Sequence, residues 1–387
     1  MNTYRGSVGL PPAGLGPLAP ATTESVPRTR SGYKPAEVTA AFTKALGEAG
    51  AQGTGKTLHY AADIICSGGI QTVFRVLWDY ALVHVGIASP RIFVYLRQRI
   101  TELESMMKRL PDDVCYAAEE FQIRIGELLL VVRDAPRRSL VPWPKVGQET
   151  HDQGWMRAAA VDVVTETAAL RKVWRPEGDL SILRTAGSQL CKAIGEGSTD
   201  RALFWVKWLL EEEMLTRKAQ KGASLSTIDR GPAGLSKAAR TDVSFFILDL
   251  YVEVYKELAG KGAVRMHEEF KALVDLWRAP PKGLGAGAKK QILALLTQIL
   301  AEVPRWKVPA APQLVSDPVF MSRAVTQAPK FFNEVLANEA PRQPHLLAKL
   351  FKTRGGLAEK PKKVVAVAED KTSALDRALA EYFGGAL

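Results

Sequence analysis

TDRALFWVKWLLEEEMLTRK, residues 199–218, is the stretch on which the fold turns. Ser198, Thr199 and Asp200 follow Gly197 and offer N-cap oxygens, and Asp200 suits the positive field of a helix's first turn. From Ala202 to Leu210 only Lys207 carries charge. A helix bearing Phe204, Trp205, Val206, Trp208, Leu209 and Leu210 is apolar around most of its circumference, so it needs neighbours on several sides. The expectation is a central helix in a helical body. Outward from it, VSFFILDLYVEVYKEL at 243–258 is a second strongly apolar helix and its natural partner.

The remaining segments repeat the same grammar. Pro35 opens a helix with Val38, Ala41, Phe42 and Ala45 at the 3.6 period, stopped by glycines near Gly47 and Gly50. Further helical runs cover 57–65, 70–85 and 91–110, the last with Phe93, Leu96, Ile100, Leu103 and Met107 on one stripe. Asp112 and Asp113 open a run reaching Val132, and helical patterns recur at 156–173, 180–194, 263–277, 288–303 and 319–337, the last with a kink expected at Pro329. Convincing alternating strands, repeats and sustained heptads are missing, so the expected class is all-α, a multihelical bundle of roughly ten helices.

Composition shifts suggest five divisions: a flexible tail at 1–34, an N-terminal helical subdomain at 35–134, a Pro-rich linker at 135–155, a C-terminal helical subdomain at 156–351 and a basic tether at 352–387. The linker APRRSLVPWPKVGQETHDQGW carries Pro136, Pro142 and Pro144, which forbid regular helix there. The tail is net +3 from Arg5, Arg28, Arg30 and Lys34 against Glu24. The tether is also net +3 over 352–371, and it ends in SALDRALAEYFGGAL, where Leu375, Leu379 and Phe383 recur every fourth residue as a partner-binding stripe or one that docks on its own body.

A chain of 387 residues with 47% hydrophobic content has a real core, and a net charge of +11 with pI near 9.5 favours anionic company: nucleic acid, a membrane surface or an acidic protein. Cys66, Cys115 and Cys191 are an odd number at wide spacing, which points to buried thiols in a reducing, intracellular compartment. The first twenty residues lack the continuous apolar run of a secretory signal, and the most apolar segment, 73–96, is interrupted by Arg75, Asp79, His84, Pro90 and Arg91, so no membrane span is expected.

The sharpest literal motif is GAQGTGKT at 50–57, which satisfies the phosphate-loop pattern through Gly50, Gly55, Lys56 and Thr57. A working loop needs a buried strand before it and an aspartate at the end of a second one. EVTAAFTKALGEA reads as a helix instead, and LLLVVRDA interposes Arg133 before Asp134. A Gly-rich turn capped by Thr54 is the alternative. Basic residues are the other candidates. Arg97 belongs to a cationic helix, while Arg137, Arg138 and Lys145 surround Trp143 in the Pro-rich linker, a mixture suited to anionic or nucleic-acid contact as much as to a solvated face. HEEF at 267–270 lacks zinc-protease spacing, and Glu211, Glu212 and Glu213 point to three helix faces and are not expected to converge on one cation. No catalytic residue, metal site or cofactor is assigned.

The strings DYALVHVGIASPRIFVYL at 79–96 and RALFWVKWLLEEE at 201–213 resemble uncharacterised helical proteins of large DNA viruses. The resemblance covers about two helices and transfers no functional residue. The basic extensions, the high pI and the missing catalytic constellation lead to the expectation of a non-enzymatic structural or scaffolding component of a large assembly, as minor virion proteins are, with other proteins as partners. A nucleic-acid-binding accessory protein in replication or packaging stands second, and a phosphate-loop NTPase third.

Overall fold

A computed structural model describes residues 27–161, 167–220, 222–281, 284–305 and 314–352. The class is all-α: among the described residues there are helices and no strands, the nearest approach being an isolated bridge between Asp179 and Ser226. The first six helices are α1 (Pro35–Gly47), α2 (Gly50–Cys66), α3 (Ile70–Tyr80), α4 (Arg91–Arg109), α5 (Asp112–Ala117) and α6 (Glu119–Asp134). Next come α7 (Gln153–Val161), α8 (Ala168–Val173), α9 (Ser181–Glu196), α10 (Thr199–Ala219), α11 (Lys237–Arg240) and α12 (Val243–Gly260). The last are α13 (His267–Arg278), α14 (Ala286–Glu302), α15 (Pro318–Val325), α16 (Ala328–Leu336) and α17 (Pro344–Lys352). None is long and apolar enough to cross a membrane, among the described residues.

The opening stretch is α10, and it sits centrally. Ala202, Leu203, Trp205, Val206, Trp208 and Leu209 are buried, and α9, α12 and α14 pack around it. Trp155 of α7 closes another side against Phe204 and Trp205, with ring centroids 6.0 and 5.4 Å apart. The chain enters α10 through Gly197, whose φ of +73° is the left-handed conformation that ends α9. Between α3 and α4 the helix widens to a π-turn at Ala81–Val85, and the backbone N–H of Arg138 donates to the His84 carbonyl there at 2.8 Å.

Buried apolar residues from Val38 to Phe351 form one contiguous cluster, and Leu140, Trp143, Val146 and Trp155 of the 135–155 segment pack against it. After α14 the chain returns to the first half, where α15 lies on α6, α16 on α2, α5 and α6, and α17 on α1 and α3. Finally, Pro329 does not kink a helix at 319–337: Thr326 and Gln327 already break it, and Pro329 sits in the first turn of α16, where its missing N–H has no helical partner to lose.

Residues 27–34, placed in the tail by composition, lie on the body. Thr29 is buried, the Arg30 guanidinium donates to the Cys66 carbonyl at 2.9 Å and the Asn338 carbonyl at 3.0 Å, and the Ser31 N–H donates to buried Asp63 at 2.9 Å. Leu375, Leu379 and Phe383 lie outside the described residues.

Candidate functional site

The phosphate-loop string is not a loop. Residues 50–57 are the first turns of α2, and among the described residues no strand precedes them. The Thr57 hydroxyl is buried and donates to the Gly53 carbonyl at 2.8 Å, while Lys56 pairs with Glu48 at 2.8 Å. The carbonyls of Glu48 and Gly50 are held by Arg133, at 2.6 and 2.8 Å. The turn needs glycine for two reasons: Gly50 has φ +75°, and a Cβ on Gly53 would stand 2.4 Å from the Glu48 carbonyl oxygen. Gly55 lies within the same helix, where an added Cβ would meet only the Phe331 ring, at 3.5 Å. The amides that would cradle a phosphate are therefore in an α-helical turn, with Lys56 turned to a carboxylate. The required aspartate is engaged too, since Asp134 accepts from the Ser316 N–H at 2.9 Å.

Of the cations proposed for anionic contact, Arg97, Arg137 and Arg138 are bonded to other segments of the chain. Arg97 of α4 reaches Asp275 of α13 at 2.8 Å. Arg137 donates to the carbonyls of Leu46 and Gly47, both at 3.1 Å, capping the end of α1, and its guanidinium lies 5.7 Å from the Tyr80 ring centroid. Arg138 pairs with Glu302 at 2.8 Å. Trp143 is half-buried beneath Lys290, whose ammonium is 5.0 Å from the ring centroid, and Lys145 is exposed.

A polar site that sequence spacing did not reveal lies where the Pro-rich segment crosses α10. His151 Nδ1 meets Glu212 at 2.5 Å, and its Nε2 lies 3.9 Å from Glu211. The imidazole stacks on Trp208 with planes 13° apart and centroids at 5.3 Å. Trp208 donates its indole N–H to the Thr150 carbonyl at 3.1 Å, and Lys207 donates to the Pro144 carbonyl at 2.9 Å. Burial alone disfavours a charged ring, but hydrogen bonding and attraction to Glu211 and Glu212 outweigh it and hold the His151 pKa up at about 9. Two of the three consecutive glutamates thus converge on an imidazolium. Glu213 points elsewhere, buried and bonded to Arg217, Ser224 and the Leu225 N–H. The only signal in the sequence was the run of carboxylates itself, set beside an apolar surface that would need a cation.

The second constellation is a cleft of about 500 Å³ between α8, α12, the end of α13 and the 228–230 segment. Arg230 lines it and belongs to a buried fork: its side chain, 6% exposed, donates to both oxygens of Asp179, whose side chain is 0% exposed, at 2.9 and 2.5 Å. Asp179 also accepts from the Ser226 hydroxyl at 2.5 Å and the Arg175 N–H at 2.8 Å. Arg230 adds bonds to the Val173 carbonyl at 3.1 Å and Ser226 at 2.7 Å and lies 5.4 Å from the Phe246 ring centroid. Around the rim, Asp249 lies 3.7 Å from Arg230 and 3.5 Å from Arg278, and Glu253 is shared by Lys172 at 3.3 Å and Lys256 at 2.5 Å. Burial raises the Asp249 pKa above the ordinary aspartate range despite these cations. Asp179 and Arg230 stand 51 residues apart, and neither position has a periodic or motif signal.

Among the described residues no group of three His, Cys, Asp or Glu side chains is placed to hold a metal ion, and all three cysteines are free and buried. Burial pushes the Cys66 and Cys191 thiols up to about 12, well away from a reactive thiolate. No family model, curated protein or solved structure matches this chain.

Proposed function

We propose that this protein is a non-enzymatic structural or scaffolding component of a large intracellular assembly, of the kind a virion represents, joined to other proteins through its basic extensions. The observation that supports this reading is the way its candidate cations are used. Lys56, Arg97, Arg137 and Arg138 each bind a carboxylate or carbonyl of another segment, so the groups that chemistry or anion binding would require are engaged within the body. Two adjacent apolar side chains, Val319 and Phe320, stand exposed in the first turn of α15 and add a surface suited to a protein neighbour.

The test is sedimentation of native extracts carrying either the full chain or a chain ending at residue 352. The full chain should travel with a particle much larger than 42.3 kDa, and the shortened one should remain at the top of the gradient. Equal sedimentation of both would remove the extensions from the reading. Association of purified full chain with DNA or RNA that weakens steeply with salt and is lost on replacing Lys145 and Arg97 would replace it with nucleic-acid binding.

A further inference from the structure

We infer that the cleft lined by Arg230, Asp249 and Arg278 binds a small phosphate monoester, its dianion taken by Arg175 and Arg278 and its organic part lying on Val252 and Ile228. This goes beyond the scaffolding role and does not depend on it. Arg230 is neutralised by Asp179 in a buried two-point fork, and Asp229 is drawn aside to Arg240 at 2.9 Å. The rim then holds four cations, Lys172, Arg175, Lys256 and Arg278, and two carboxylates, Asp249 and Glu253. That leaves two positive charges in excess around one concavity, the charge a phosphate monoester dianion carries at neutral pH.

Geometry adds to this. The Arg278 contact with Asp249, at 3.5 Å, is long for a charge-assisted bond. Arg175 is exposed, and its influence on Asp249 is electrostatic. Both guanidinia can therefore turn to an incoming tetrahedral anion without breaking a short bond, and a guanidinium presents paired donors that match phosphate oxygens. Arg230 does not have to move, because it is held by Asp179, Ser226 and the Val173 carbonyl. Asp249, Val252, Glu253 and Lys256 follow one another at helical spacing along α12, so a single rigid face sets the distance between the cationic rim and its apolar patch.

The experiment is calorimetric titration of the full chain at low ionic strength with phenyl phosphate, with inorganic phosphate and with vesicles containing phosphatidic acid. Phenyl phosphate should bind saturably at one site per chain and more tightly than inorganic phosphate. Arg175→Gln and Arg278→Gln should each weaken it about tenfold. Lys256→Gln on the outer lip should weaken it less, and Lys56→Gln, on α2, should leave it unchanged. Thermal midpoints without ligand will show that the variants are folded, as the exposure of both arginines leads us to expect. The proposal fails if phenyl phosphate does not saturate, if the folded Arg175→Gln and Arg278→Gln variants bind as well as the parent, if inorganic phosphate binds equally well, or if only the vesicles bind.

Discussion

His151 shows how a residue acquires a role from its surroundings. Its pKa of about 9, against an ordinary 6.5, means the folded state holds a proton that the unfolded chain releases. The stabilisation from this proton is fully present below pH 6.5 and declines as pH rises through 9. His151→Gln should therefore cost about 2 kcal/mol at pH 6 in denaturant unfolding, and the gap from the parent should close by about pH 10. A constant gap would mean that the ring contributes only packing on Trp208. Gly53 tests the helical reading of GAQGTGKT. Gly53→Ala sets a Cβ against a backbone carbonyl that cannot swing away and should destabilise by about 3 kcal/mol. Lys56→Ala, which removes a half-buried pair, should shift the thermal midpoint little and leave the affinity for triphosphates unaltered.

At the level of the element, the closest helix contact the glycines permit is at Gly126 of α6, where an added Cβ would be 2.5 Å from the Ala328 Cβ of α16. Gly126→Ala should raise intrinsic helix propensity yet lower stability by about 1–3 kcal/mol, because α16 must back away from α6. Pairing it with Ala328→Gly should recover part of the loss, a coupling readable in a double-mutant cycle. Such contacts explain which elements could be read in advance. α4 and α12 were legible because the 3.6 period of their large apolar residues reports burial directly. The breaks at Ala118 and at Thr326 to Gln327 were not, since no proline or glycine occupies them and the neighbouring residues continue an apolar stripe. The polar sites were least visible. His151 finds Glu212 across 61 residues, and only the packing of the 135–155 segment against α10 makes them neighbours.

For the whole molecule, the question is whether two helical halves joined by a Pro-rich segment behave as two bodies. Local composition favours a boundary at 135–155, because three prolines in nine residues resemble a linker. Its bonds argue otherwise: Arg137 caps α1, Arg138 reaches Glu302 of α14, and His151 is clasped by α10, so the same prolines that prevent helix lay the segment across both halves. The last described helices tie them again. Phe332 of α16 is fully buried, with its ring 6.5 Å from that of Phe121 of α6, and Thr72 of α3 donates to the Phe351 carbonyl at 2.7 Å. Phe332→Ala should cost about 3–5 kcal/mol by transfer and cavity terms. In a single cooperative body that loss must reach Trp205, Trp208 and Trp277, which sit on α10 and α13, far from the substitution in sequence. The denaturation midpoints followed by tryptophan fluorescence and by far-ultraviolet dichroism should then fall together, in one transition. Two separate bodies would instead give a biphasic dichroism curve, with the earlier phase displaced and most of the tryptophan signal left where it was in the parent.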